Sequence, residues 1–310
     1  MIPTMEPGNI EPCVCLLPTG SAAESVEGIS HLLEHFLIFE LIHRRSGAMV
    51  DGHTTEDYVI LFCRHLTLEN IIETLRSMEF DDAHLEMHKE RLKKEIEVKL
   101  ANREEFFFRF VWEGSDYEKS PLGLADRVDT ISGAALDTLR RRLLKEAIFG
   151  YTRGGGVTIL NSDTVAPVQS RPLPPVPIAW VKNKPFGERW YDICYFNRDI
   201  EVFYLLERML KLLDPDKHIQ LSEKKKMSAL ILEKGTRFPG EQVRAVKQNA
   251  LEQLTVEVSQ IKSNFEESAL NELESMYFYG SPWSERCRRL FRTTDRRIAE
   301  LVKKLTCPLI

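Results

Sequence analysis

His31-Leu-Leu-Glu34-His35 places two imidazoles and a carboxylate on adjacent turns of one helix. Residues four apart on a helix share a face, and the residue at the third step lies on the same side. Two neutral imidazoles so spaced can hold one zinc ion and leave Glu34 beside a water on the metal. Such a carboxylate can take a proton from that water and pass it to a leaving amine. The chemistry this spacing supports is metal-assisted hydrolysis of an amide. The alternative is a surface helix whose histidines are merely solvated. Leu32, Leu33, Phe36, Leu37, Ile38 and Phe39 argue against that, because they make the helix largely buried. Burying two histidines and a glutamate together is costly unless something pairs them.

A catalytic zinc ion needs three protein ligands and an open position. A long helical stretch from Asp82 to about Trp112 offers Glu86, Glu90, Glu95 and Glu97 for the third. Glu90 and Glu97 are two turns apart on one face, whereas Glu95 points to nearly the opposite side. One of the facing pair can bind a metal while the other orients a ligand. Periodicity alone does not choose between them.

The elements that must position these groups alternate between strand and helix. Pro12–Leu17 reads as a strand, followed by a helix from near Glu27 to His43. A strand region from Ala48 to Cys63 is broken at Asp51-Gly52-His53-Thr54. Helical periodicity marks Leu66–Met78, and another helix runs from Ala134 to Phe149 before a strand at Gly156–Leu160. Arg140, Arg141 and Arg142 read as solvated charges on it. Prolines 167, 172, 174, 175 and 177 then make a semi-rigid linker. The expected organisation is a catalytic domain at 1–165, a linker at 166–178 and a shorter domain at 179–310. The second has a strand (Arg189–Phe196), a helix (Ile200–Leu213), a strand (Met227–Leu232) and helices from Gly240 to Thr306. The similar order of elements suggests duplication.

Composition narrows the function. A length of 310 residues suits two domains, and 43% hydrophobic with 29% charged residues is ordinary for a soluble protein. A net charge of -5 gives no basic footprint for nucleic acid. No stretch is long and apolar enough to span a membrane. The first nine residues have neither a basic region nor an apolar core, which points to the cytoplasm. The six cysteines are scattered and read as reduced, small apolar residues.

Gly20-Ser21, Glu24 and Gly28-Ile29-Ser30 precede the His31–His35 motif, and Glu90-Arg91-Leu-Lys-Lys-Glu-Ile-Glu97 follows it. Together these blocks resemble those of the pitrilysin family, whose inverted zinc motif insulysin and mitochondrial processing peptidase share. The resemblance implies an α+β fold of two related αβ units, each an antiparallel-rich sheet packed with helices. It implies zinc bound by His31, His35 and Glu97, with Glu34 as general base and Glu90 as a supporting carboxylate. Lys93 and Lys94 depart from the usual apolar residues, and the span from His35 to Glu97 is short for the family.

The stretch from Gly47 to Thr54 resembles the family's active-site edge strand, so Asp51, Gly52, His53 and Thr54 are implied to bind an extended peptide by strand addition. The family commonly has asparagine where this chain has Asp51, and an ionised aspartate accepts but does not donate. His53 as a fourth ligand would close the open position. In the second half, Pro239–Lys247 and Tyr279–Pro282 resemble a late helix start and the break after it. Aligning Leu221–Ala229 puts Ser222 and Ala229 where the resemblance implies a substrate-binding arginine and tyrosine. Either that alignment is displaced or a second pitrilysin-like subunit supplies those groups. The leading expectation is a zinc endopeptidase acting on extended peptides in an enclosed chamber, as the catalytic subunit of a heterodimer that processes a peptide precursor. The alternative is a non-catalytic peptide-binding subunit that keeps its metal site.

Overall fold

A computed structural model of the chain describes residues 12–99, 103–153, 156–161 and 178–306. The protein is α+β, with two antiparallel sheets and helices packed on them. Among the described residues, 12–161 with 265–273 form one unit, and 178–264 with 274–306 form another. The proline-rich stretch Pro167–Pro177 and the expected boundary at 165/166 lie outside the described residues.

In the first unit the elements run β1 (Cys13–Leu17), α1 (Ile29–Arg44), β2 (Met49–Thr54), β3 (Val59–Arg64), α2 (Leu68–Ser77) and α3 (Asp82–Lys99). They continue with α4 (Arg103–Trp112), α5 (Ala125–Val128), α6 (Gly133–Glu146), β4 (Ile148–Arg153) and β5 (Gly156–Asn161). The strand order is β2-β3-β1-β4-β5, which makes β2 an edge among the described residues. β1 is buried at every position, because both faces of the sheet are covered there. Cys15 and Leu17 share a core with Leu32, Leu33 and Leu37 of α1 and Leu92 and Ile96 of α3. On β4, a methyl group at Gly150 would meet Leu273 and Ala269 at 3.5 and 3.6 Å, so residues 265–273 cover that side. Cys13, Cys15, Cys63 and Cys194 are buried, unbridged thiols, as their apolar reading requires.

The second unit runs β6 (Ala179–Phe186), β7 (Arg189–Phe196), α7 (Ile200–Leu213), β8 (Ile219–Ser222), β9 (Ser228–Glu233) and α8 (Val243–Ser263). Then come α9 (Phe265–Tyr279), whose residues 265–273 belong to the first unit, and α10 (Trp283–Phe291) and α11 (Asp295–Thr306). Its sheet has the order β6-β7-β9-β8. Phe196, Phe203, Leu206, Leu230, Ala250, Leu254 and Ile298 form its core. No described helix in either unit is long and apolar enough to cross a membrane.

Several boundaries differ from the sequence reading. The expected break at Asp51–Thr54 is continuous strand, and the turn falls at Thr55–Tyr58. There Thr55 N–H donates to the Tyr58 carbonyl at 2.8 Å, while its hydroxyl accepts from the Asp57 and Tyr58 N–H groups. Described helix in the Asp82–Trp112 stretch falls into two elements, α3 and α4. α6 ends at Glu146, so Ile148 and Phe149 open β4 instead of closing a helix. β6 and β8 carry no strong strand pattern and were not expected.

Arg140 is also not solvated. It is buried on α6, and its guanidinium donates to the Leu75 and Arg76 carbonyls at the C-terminal end of α2 and to Asp137. The last carbonyls of a helix have no partner within it, and a cation there is favoured. Replacing Arg140 with alanine leaves the buried Leu75 carbonyl without this donor and removes the part-buried bond to the Arg76 carbonyl, at a cost of about 1–3 kcal/mol. Urea unfolding of Arg140→Ala should show that loss as a lower midpoint, while Arg141→Ala, whose side chain is exposed, should stay within about 0.5 kcal/mol of the parent.

Candidate metal centre

The site begins with the way α1 starts. Gly28 has φ of 91°, a left-handed conformation that favours glycine, and no side chain of its own to cap the helix. The cap comes from Glu24, which accepts the Gly28 and Ser30 N–H groups at 2.8 Å each. A carboxylate at a helix N-terminus also meets the positive end of the macrodipole. Ser30 is tied to Thr19 at 2.9 Å. With its first turn held from the side, α1 presents His31, Glu34 and His35 inward.

His31 and Glu34 are buried, and the His31 and His35 rings lie 4.8 Å apart, nearly perpendicular. The carboxylate that meets them is Glu95 of α3. His35 Nε2 is 3.3 Å from its Oε2, and His31 Nε2 is 3.7 Å from its Oε1. One ligand atom from each of His31, His35 and Glu95 can be chosen so that all three lie within 4.8 Å of one another. Lys99 also pairs with Glu95, at 2.5 Å.

Glu97, expected as the third ligand, is exposed, and Glu90 is exposed and paired with Lys93. α3 turns Glu95 toward the imidazoles and Glu90 and Glu97 toward solvent, so the structure gathers neither of the two implied carboxylates into this cluster. The alternative signal was available in the sequence. Leu85, His88, Leu92 and Ile96 trace the buried stripe of α3, and Glu95 borders it. His88, two turns before Glu95, lies beside His35 with 6.3 Å between ring centroids, and sequence reasoning did not single it out.

Burial, and then the neighbouring His35, hold the His31 imidazole down to about 4, against the pull of Glu95. It is therefore neutral near pH 7 and has a lone pair to give. Glu95 is held well below the usual carboxylate range, first by its bond with His35. Glu34 is pushed up by burial, with the Thr54 hydroxyl, donating to Oε2 at 2.6 Å, the largest opposing effect. Two imidazole nitrogens and one carboxylate oxygen are a donor set that fits zinc, and Nδ1 of His35 is buried without a partner. Glu34 stands beside this set with a proton affinity shifted toward neutrality.

These groups open into a cavity of about 520 Å³, walled also by Val50, Asp51 and Gly52 of β2 and by Ile38 and Arg91. β2 is thus an edge strand at the rim of the centre. Asp51 and His53 point to solvent, and Asp51 accepts from the Gly52 N–H at 2.9 Å. His53 stacks against Phe62 with 6.1 Å between centroids and takes no place in the ligand cluster. Thr54 reaches Glu34. The four residues therefore share one strand but not one role. In the second unit Ser222 and Ala229 are direct cross-strand partners of β8 and β9, and both are buried.

No family model and no curated protein matches the chain. Solved structures do. A putative M16-like peptidase from Alicyclobacillus acidocaldarius is 11% identical, with 93% of this chain and 88% of that chain covered and a TM-score of 0.62. A peptidase M16 inactive domain from Pseudomonas fluorescens is 12% identical over 94% and 89%, with a TM-score of 0.59. A chain of Complex III2 from Candida albicans is 12% identical over 96% and 89%, at 0.61. At such identities the likeness defines the fold, and the chain has the α+β fold of M16-like, or pitrilysin-type, peptidases. That fold is shared by neighbours described as peptidases and by one described as inactive.

The Thr54–Glu34 bond makes a direct prediction. Thr54→Val removes the largest effect that lowers the Glu34 carboxyl, so its titration should move to higher pH. Carbon-13 NMR of labelled glutamate side chains reads that shift without reference to activity, and an unmoved or lowered Glu34 titration would contradict the geometry.

Proposed function

We propose that this chain is a zinc-dependent endopeptidase that cleaves extended peptides, with the metal held by His31, His35 and Glu95. The convergence of those three ligand groups beside Glu34, at the rim of an edge strand, carries the reading. Zinc bound there would polarise a scissile carbonyl and make a nearby water more acidic.

The chain's own residues supply the rest. Glu34 takes the proton of the attacking water and returns it to the leaving amine, and its raised proton affinity suits it to both steps. Thr54 fixes the carboxylate from the strand side. The open edge of β2 would add the peptide as a further strand, which aligns a backbone amide, whatever its side chains, with the centre. Asp51, when ionised, offers the peptide acceptors only. Ile38 and Val50 leave part of the cavity wall apolar.

The proposal includes a second subunit. Ser222 and Ala229 are small and buried in the β8–β9 ladder, so neither can grip a substrate. A partner of related fold would bring a basic and a phenolic group to the peptide, and a leader-bearing precursor is the substrate class this arrangement suits.

Zinc content and cleavage of an unstructured peptide should be measured with and without any co-encoded homologue. Glu34→Gln should keep zinc and lose activity by about 10²–10⁴-fold. Glu95→Gln should lose zinc, and Glu97→Gln should keep both zinc and activity. The competing reading, a non-catalytic peptide-binding subunit, predicts zinc uptake and peptide binding with no cleavage in any combination. Full activity of the isolated chain, eluting as a monomer on size exclusion, would remove the partner from the proposal.

A further inference from the structure

His88 is the side chain near the centre whose burial the rest of the fold does not account for. It is 1% exposed, and neither of its ring nitrogens has a hydrogen-bond partner. Its surroundings are largely aromatic: Phe36 at 4.4 Å, Phe39 at 5.2 Å and the His35 ring at 6.3 Å between centroids. A neutral imidazole has one donor and one acceptor, and leaving such groups buried and unmade costs about 1–3 kcal/mol each. Leucine, methionine or phenylalanine would fill the same space at no such cost. Orphaned polar groups are rare enough in folded interiors that each calls for an explanation.

The explanation lies next to it. Nδ1 of His35 is buried and without a partner as well. A histidine that binds metal through Nε2 carries its proton on Nδ1 and gives it to an acceptor, which fixes both the tautomer and the ring orientation. A ring separation of 6.3 Å is too long for a direct bond between the two imidazoles and suits one water held between them. His88 and Glu95 occupy one side of α3, two turns apart. The helix that delivers the carboxylate therefore also delivers a group able to steer the neighbouring ligand.

We propose that His88 is a positioning residue for the metal centre, holding His35 through a buried water so that its Nε2 faces the ligand cluster. This rests on the zinc reading of His31, His35 and Glu95. A neutral support of this kind adds no charge to a centre that already holds Glu34 and Glu95. His88 thereby orients a ligand without raising the proton affinity of Glu34 further.

The test compares full-length His88→Phe and His88→Gln with the parent by chelator competition for zinc, by the visible spectrum of the cobalt-substituted protein, and by thermal unfolding without metal. Phenylalanine fills the space but cannot hydrogen-bond. It should weaken zinc binding by about 10- to 100-fold and change the cobalt spectrum, while the metal-free melting temperature stays level or rises. Glutamine can hold the water and should keep affinity and spectrum close to the parent. Parental affinity in His88→Phe would overturn the proposal. So would a loss of affinity that merely follows a fall in metal-free stability, or a glutamine variant as impaired as phenylalanine. A parent that takes up no zinc would overturn the metal reading along with it. A parent that binds zinc, beside an unaffected phenylalanine variant, would overturn the role of His88 alone.

Discussion

Helix α1 is packed into the core of the first unit while carrying His31 and Glu34 on its buried surface. Ionisable groups inside an apolar layer cost several kcal/mol each when nothing answers them. The elements around α1 are arranged to answer them. Thr54 arrives from the edge strand to bind Glu34, and Glu95 arrives from α3 to meet the imidazoles. Glu24 caps the first turn, and a shift of one residue in that turn would rotate the set by about 100°. Strand, helix and loop are thus fixed by the need to pair the same few polar atoms, and those atoms are the ones that suit a metal.

The charges around Glu95 show how the site can accept a cation. Lys99 and the two imidazoles all face that carboxylate. Lys99 is exposed, so its ion pair is worth at most about 1 kcal/mol and is readily given up. The His31 imidazole is different, since burial keeps it uncharged near neutrality. At Glu95 a divalent cation would compete with an exposed ammonium, and His31, already uncharged, would offer its lone pair without first losing a proton. Arg91, also on the cavity wall and exposed, adds a second positive charge there.

Much of this was legible in the residues. The His31–His35 spacing marked the two imidazoles and the carboxylate, and the resemblance of Gly47–Thr54 to an edge strand picked out β2, although the strand region read as broken there. Periodicity alone leaves the third ligand open, and the resemblance of the Glu90–Glu97 block implies Glu97, whereas the structure brings Glu95 to the imidazoles. On α3 the buried stripe is centred on Leu85, Leu92 and Ile96. At about 100° per residue, Glu95 lies roughly 80° from that centre, on the side of His88, and Glu97 about 120° away on the other side. A carboxylate must border the buried stripe to reach a buried imidazole, and only the apolar periodicity of α3 carries that information. Lys89, buried in the same stripe, blurs it.

What the sequence did not contain was long-range coverage. β1 reads as apolar throughout, which states that both its faces are covered but not by what. One cover, α1 (from Ile29), follows soon after β1 ends at Leu17; residues 265–273 arrive after more than two hundred others and cannot be inferred from local pattern. The same limit applies to Ser222 and Ala229. Their types say only that they are small, while the register says they face one another across a buried ladder. A serine opposite an alanine in such a place stabilises the sheet by fitting it, and a long basic or phenolic side chain there would have to leave the ladder. The second unit's sheet is therefore complete as a scaffold at the positions where a substrate-gripping pair was sought. The metal-binding and proton-transfer groups identified in this chain all belong to the first unit.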